Sequence, residues 1–289
     1  MEFTEQDIEQ LDKEQYQLTA AAKELNGYDE LNFLLTDDAG KKYIFKIATD
    51  EHGYDFLDAQ VKIINHLAAS NVSNKFQQFV LNTNGQTLTT IERNGRNYYL
   101  RILSFLEGTF WVDATQYSDE LFLNLGKLLG EMDKALQNFS HLAMHREYVW
   151  DIANSLDAET NLLCIREHEK RRIAAYFLMQ FREEVAPLQH QLRKAYIHND
   201  ANDYNVLVHE NDVVGLIDFG DMVYSHLINN VAVACTYAMF QQNDVLNAAV
   251  HVVKGYHQQY PLTEKELSVL YYLIAGRLCI SVSRSAFIP

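Results

Sequence analysis

Through the first hundred residues, apolar and polar positions alternate in short runs separated by turn residues. Leu31 to Thr36 and Lys42 to Ala48 flank Asp37-Asp38-Ala39-Gly40, a hairpin signal, and an extended Tyr16 to Leu25 precedes them across the turn Asn26-Gly27-Tyr28-Asp29. Thr87 to Glu92 and Asn97 to Phe105 form a second pair around Arg93-Asn94-Gly95-Arg96. One stretch has a different period. Phe56, Ala59, Ile63, Ile64 and Leu67 recur at helical spacing and predict one amphipathic helix over about 54–69. From Gly108 the pattern turns helical. Leu121, Leu125, Leu128, Leu129, Met132, Leu136 and Phe139 make a stripe that asks to be buried, and further helices are expected at about 148–158, 165–184, 227–241, 243–259 and 263–283. Short strands interrupt them at Tyr196-Ile197, Asn205 to Val208 and Val213 to Ile217. The expected class is α+β: a small antiparallel sheet with one helix over 1–106, then a larger, mostly helical lobe with a compact β insertion over 107–289.

Composition narrows the partners. With 24 basic and 39 acidic side chains the formal charge is −15, which opposes binding to nucleic acid or an anionic membrane and suits a cationic small substrate. Hydrophobic residues at 48% and charged residues at 22% describe a globular chain. Cys164, Cys235 and Cys279 are widely spaced with no Cys-x-x-Cys pair, so reduced thiols are expected rather than a disulfide framework or a zinc site. The start lacks the order of a signal peptide, and Leu267 to Val282 carries Arg277 and is shorter than the roughly 20 apolar residues of a membrane span. A cytoplasmic protein is expected. The close at Phe287-Ile288-Pro289 reads as that of a fragment of a longer polypeptide.

Chemistry concentrates at His198-Asn199-Asp200-Ala201-Asn202-Asp203-Tyr204-Asn205 and Ile217-Asp218-Phe219-Gly220-Asp221, between apolar strands where unpaired carboxylates are expensive to bury. Two carboxylates and an amide supply the hard oxygen ligands that Mg²⁺ prefers, with room for water and phosphate oxygens. A remaining carboxylate can orient a hydroxyl and accept its proton. His-x-Asp-x-x-x-x-Asn followed by Asp-Phe-Gly is the catalytic and metal pattern of kinase chemistry.

On these motifs the chain resembles the aminoglycoside phosphotransferase and choline kinase superfamily. Asn202-Asp203-Tyr204-Asn205 and Asp218-Phe219-Gly220-Asp221-Met222-Val223 are most similar to the hydroxylysine kinase group, a domain also found fused to class III aminotransferase-like proteins. The resemblance implies a protein-kinase-like bilobal fold and a kinase that passes the γ-phosphoryl group of ATP or GTP to a hydroxyl of an amino-bearing alcohol. It implies a nucleotide base against Arg101 to Gly108, Asp200 as base, and Asn205 and Asp218 as Mg²⁺ ligands. His198 is expected to brace the catalytic loop, a role compatible with a hydrogen-bonded core histidine. Lys46 matches the sheet lysine on the α- and β-phosphates and is preferred in that role to a lysine snorkelling from a strand edge. Gly27 to Asn32 matches the phosphate-covering loop but holds one glycine, so an ordinary turn stands beside that reading.

Some positions depart from the family pattern. The helix that normally offers Glu to the sheet lysine offers Gln60, so Lys46 is expected to lean on Asp218 or on phosphate. Asn230 stands where relatives place an acid, and Asn199 replaces a common Gly, the least costly substitute if φ is positive. Asp203 and Asp221 read equally as loop caps and as a rim for an ammonium-bearing substrate. Trp150 falls where relatives line the acceptor pocket, though core packing is the favoured reading. The thin loop, Gln60 and Asn230 leave a rival: a nucleotide-binding pseudokinase or regulatory domain of a larger fused enzyme. A Mg-dependent phosphohydrolase fits less well, because it gives Lys46 no task.

Overall fold

A computed structural model describes residues 3–27 and 30–287, so the expected turn at Tyr28-Asp29 and the close at Ile288-Pro289 lie outside the described residues. The chain divides into two compact units, Met1–Glu107 and Gly108–Pro289.

The first unit opens with α1 (Glu5–Tyr16), a helix absent from the sequence expectation, which took Tyr16 onward as extended. Its start is a capping box: Thr4 accepts from the Asp7 N–H while the Asp7 carboxylate accepts from the Thr4 N–H. Strands β1 (Ala20–Leu25), β2 (Leu31–Asp37), β3 (Lys42–Thr49), β4 (Phe79–Val80), β5 (Thr89–Arg93) and β6 (Arg96–Ser104) follow, with α2 (Tyr54–Leu67) after β3. The order is β1-β2-β3-β6, all antiparallel, and β4 and β5 share the far edge of β6. Asn94 and Gly95, at φ 54° and 75°, close the β5–β6 hairpin in two residues, the conformation that Asn-Gly supplies at low cost.

Strand alternation sorts the two faces. Phe33, Leu35, Phe45, Ile47, Leu100 and Ile102 face one way and form a core with Phe3 and Ile8 at the α1 end. The opposite face meets α2 through Ala48, Leu57 and Val61. Lys46 and Arg101 are out of phase with the α1-side core residues and belong to this second face. They are also direct cross-strand partners, and Asn32 is the partner of Lys46 on the other side.

The second unit holds β7 (Thr109–Phe110), α3 (Asp119–Ala135), a 3₁₀ run over Ile152–Cys164, α4 (His168–Gln180), β8 (Lys194–Ile197), β9 (Val206–His209), β10 (Asp212–Leu216), β11 (Val223–His226), α5 (Leu227–Ala238), α6 (Val245–Gln259) and α7 (Glu264–Phe287). The expected helix at about 148–158 is this 3₁₀ run, with a kink at Asn154, and the helix expected at about 165–184 ends in a π turn over Phe181–Val185. Two short sheets, β10-β9-β7 and β11-β8, carry the polar loops. α3 and α6 approach backbone to backbone: a Cβ on Gly126 would lie 1.9 Å from the Val252 carbonyl oxygen, and one on Gly255 2.0 Å from that of Leu123. α7 is longer than the apolar stretch read from sequence. It is the one helix among the described residues long and apolar enough to cross a membrane, but it packs on α5 and buries Arg277, as a core helix does.

Candidate active site

In the second unit the catalytic motif occupies the loop between β8 and β9, and antiparallel pairing of β9 with β10 returns Asp218 beside it. The Ile217 N–H donates to the Asn205 carbonyl (2.9 Å), so the two motifs are stitched by backbone. Asn199 takes φ 65°, the left-handed conformation in which Asn is tolerated, and Asp218 takes φ 64°. Its carboxylate accepts from the Gly220 N–H at 3.1 Å, the local bond that lets a non-glycine residue hold that turn.

Asp200 is fixed from three sides. Its Oδ2 accepts from Asn202 Nδ2 (2.9 Å) and Asn205 Nδ2 (2.8 Å), and its Oδ1 from Arg277 Nη2 (2.7 Å). Burial lifts its carboxyl above the ordinary carboxylate range; Arg277 opposes the rise, while Asp221 and Asp218 add to it. His198 lies wholly buried with Nε2 on the Ile217 carbonyl (3.1 Å) and Nδ1 accepting the Asp200 N–H (3.3 Å), which requires the Nε2–H tautomer. Burial pushes this imidazole down to about 4, so it is a neutral brace between the two motifs. Phe219 packs edge-on against it at 5.0 Å.

Asn205 spends its amide hydrogens on the Asp200 carbonyl and carboxylate (2.9 and 2.8 Å), which leaves Oδ1 as an oxygen ligand. Asp218, Asp200 and Asp221 crowd negative charge that a cation would relieve. Among the described residues no three His, Cys, Asp or Glu side chains converge on one point. Mg²⁺ needs no such group, since it is held by one or two protein oxygens together with phosphates and water. Asn205 and Asp218 could therefore hold it.

The expected rim divides. Asp221 joins the cluster: Tyr148 donates its hydroxyl to it, and burial raises the Asp221 carboxyl. Asp203 has other neighbours: its charge acts on Tyr117 and its carbonyl accepts from the Val112 N–H at 3.0 Å. Trp150 lies between Arg277 and Arg284, each guanidinium 5.1 Å from its ring, and its carbonyl accepts from Arg277 Nη1 (3.1 Å).

Arg277 and Arg146 escaped the sequence reading. Arg146 donates to the carbonyls of Gly220 (2.8 Å) and Met222 (3.1 Å), pinning the turn that follows Asp218. Arg277 did leave a signal. A lone charge in an apolar helix must find a buried partner, and here the partner is Asp200. Behind the loop, Asn230 Oδ1 accepts from the Asn199 N–H (3.2 Å), and its Nδ2 donates to both oxygens of the buried Asp133 (2.9 and 3.1 Å).

The first unit gathers a second group. Lys46 Nζ lies 3.4 Å from Glu30, and Arg101 Nη2 donates to both Glu30 oxygens at 2.6 and 2.7 Å. Gln60, expected to serve Lys46 from α2, turns its Oε1 to Arg101 (3.4 Å). Burial alone would raise the Glu30 carboxyl; Arg101 and then Lys46 outweigh it and hold it at about 2. Asn32 donates to the Glu30 carbonyl at 3.2 Å. Gly27 permits the close approach of this loop, since a Cβ there would lie 2.1 Å from the Glu30 carbonyl oxygen and 2.4 Å from Asn32 Nδ2.

A profile of the phosphotransferase enzyme family matches residues 22–266. The hydroxylysine kinase of Bos taurus is 25% identical over 287 residues, spanning 91% of this chain and 76% of that protein. The homoserine kinase of Zymomonas mobilis subsp. mobilis is 26% identical over 259 residues, spanning 86% and 75%. Among solved structures, amicoumacin kinase hAmiN, in complex with AMP-PNP, Ca²⁺ and Ami, superposes with a TM-score of 0.77 at 18% identity, covering 99% of this chain and 87% of that one, a likeness of fold.

Proposed function

Since the chain belongs to the phosphotransferase enzyme family, and is a small-molecule kinase acting on a hydroxyl group, we propose that it phosphorylates an amino-bearing alcohol, hydroxylysine first, from ATP or GTP. The observation that carries this reading is the Asp200 carboxylate, held by Asn202, Asn205 and Arg277, with the Asn205 carbonyl accepting from the Ile217 N–H next to Asp218. Asp200 orients the acceptor hydroxyl and takes its proton. The acceptor oxygen bonds to the γ-phosphorus as the bridge to the β-phosphate breaks, and the nucleoside diphosphate leaves. Asn205 and Asp218 would hold Mg²⁺, which would neutralise phosphate charge. Lys46 meets the phosphates, with Gly27 to Asn32 as the loop over them. Most of the acceleration comes from fixing the reactants, and a carboxylate locked by three donors is suited to that.

The acceptor's amino group is assigned to the Asp221 side of the site, with Tyr148 and Trp150 beside it; Asp203, whose charge acts on Tyr117, is assigned to the outer rim. The named activities of relatives, on hydroxylysine and on homoserine, support an amino-bearing acceptor. The free thiols of Cys164, Cys235 and Cys279 and the charge of −15 suit a cytoplasmic enzyme with no nucleic-acid partner.

A screen of hydroxylysine, homoserine, other amino alcohols, choline and aminoglycosides with ATP and GTP tests the acceptor. No turnover of any aminated compound would sink that part. Asp200→Ala is expected to abolish transfer while Mg-nucleotide still binds, and near-normal turnover by it would remove Asp200 from its role.

A further inference from the structure

The face of the first unit's sheet that carries Lys46 presents an ion cluster in an arrangement the sequence motifs did not foretell. Lys46 and Arg101 are cross-strand neighbours on β3 and β6, with Arg101 only 2% exposed. Two cations side by side repel, and burying them needs an anion. The helix facing them has none to give, since α2 carries Gln60 at that point, and Gln60 accepts from Arg101 instead. The anion comes from the chain just ahead of β2: Glu30 spans Arg101 and Lys46.

We infer that Glu30, clamped by Arg101, is the positioning residue for Lys46, supplying from the phosphate-covering loop the carboxylate that a helix acid would otherwise supply. This rests on the reading of Lys46 as the phosphate lysine. Three features favour it over an incidental surface pair. Glu30 is held at about 2, so it stays ionised at any pH at which the enzyme would work. It is bound through both oxygens to a guanidinium that is itself buried, so it offers Lys46 a fixed charge rather than a roaming one. And its carbonyl is tied to Asn32, while Gly27 allows the loop to close on it, so the placement of the loop and the aim of Lys46 are set by the same residue.

The test uses the full chain and follows MgATP consumption, with hydroxylysine as acceptor and, independently of it, with water. Glu30→Gln is expected to lower kcat at least tenfold while KM for MgATP stays within threefold, because Lys46 and Arg101 still attract phosphate but Lys46 is no longer held in register. Glu30→Gln/Gln60→Glu, which returns the acid from α2, is expected to recover kcat to within threefold of the wild type. A Glu30→Gln enzyme with kcat within threefold of the wild type overturns the inference, as does a double variant no faster than the single one. If Gln at position 30 prevents folding, Glu30→Asp decides: reduced kcat at unchanged KM supports the role, and wild-type kcat overturns it. Lys46→Ala separates the premise from the inference. Normal turnover by Lys46→Ala breaks the phosphate reading itself, whereas an inactive Lys46→Ala beside a normal Glu30→Gln sinks only the role given to Glu30.

Discussion

Asp133 offers a measurement whose sign follows from the structure. It lies on α3, wholly buried, and accepts from Asn230 Nδ2 (2.9 and 3.1 Å) and from the Tyr256 hydroxyl (2.6 Å). Burial outweighs these donors and pushes its carboxyl from the ordinary 3.8 up to about 7. Between those two values the folded protein holds a proton that the unfolded chain releases, so stability falls as pH rises through that interval and levels off above it. About three pH units at about 1.4 kcal/mol each set an upper figure of about 4 kcal/mol. Asp133→Asn keeps the shape, removes the titration and lets Oδ1 still accept from Tyr256 or Asn230. Urea unfolding of both proteins at pH 5 and pH 8 reads the effect: between the two the wild type is expected to lose about 2–3 kcal/mol more than the variant. Equal pH dependence in the two proteins would refute the assignment of that loss to Asp133. Asp133→Ala is a different perturbation. It strands the Asn230 amide and the Tyr256 hydroxyl, at about 1–3 kcal/mol for each buried group left unpaired, and it loosens the Asn230 contact with the catalytic loop. It is expected to lower both stability and turnover.

Two further outcomes are expected. Arg277→Lys keeps the charge but cannot span Asp200 Oδ1 and the Trp150 carbonyl together (2.7 and 3.1 Å); kcat is expected to drop about tenfold with an unchanged circular dichroism spectrum, and steady-state kinetics of the purified variant check it. Gly126→Ala drives a methyl against the Val252 carbonyl across the α3–α6 contact, and chemical denaturation is expected to show a loss of about 3 kcal/mol, the upper end for overpacking, with a native-like Ala variant counting against so close an approach.

How far the sequence carried the fold depended on the range of each signal. Strand alternation, the Asn94-Gly95 turn and the Leu121 to Met132 stripe are local and periodic, and β2, β3, β5, β6 and α3 follow from them. α1 was equally local, since Thr4 and Asp7 announce its start, but its apolar face is thin: Ile8, Asp12 and Tyr16 are the residues it buries, and one of those is an acid. β11 and the kinked 3₁₀ run owe their form to tertiary partners. Val223–His226 is a strand because β8 lies beside it, and Asp151 starts the run at Ile152 while also accepting from Ser225 and Asn229. No window of sequence contains those pairings.

The site divides along the same line. His198, Asp200, Asn205 and Asp218 are spaced by a loop and a hairpin, so spacing alone brings them together. Charge partners obey no such spacing. Gln60 and Asn230 looked like lost acids and gave the pseudokinase reading its grounds. In each case a carboxylate stands next to the amide, contributed by a distant part of the chain: Glu30 reaches the Arg101 that Gln60 touches, and Asp133 accepts both bonds from Asn230. An amide at either position then has a physical use, since it links to a neighbour without adding charge. Restoring the family acid by Asn230→Asp would set two carboxylates against each other in full burial, where the cost is highest. Each amide is therefore best judged together with the acid beside it.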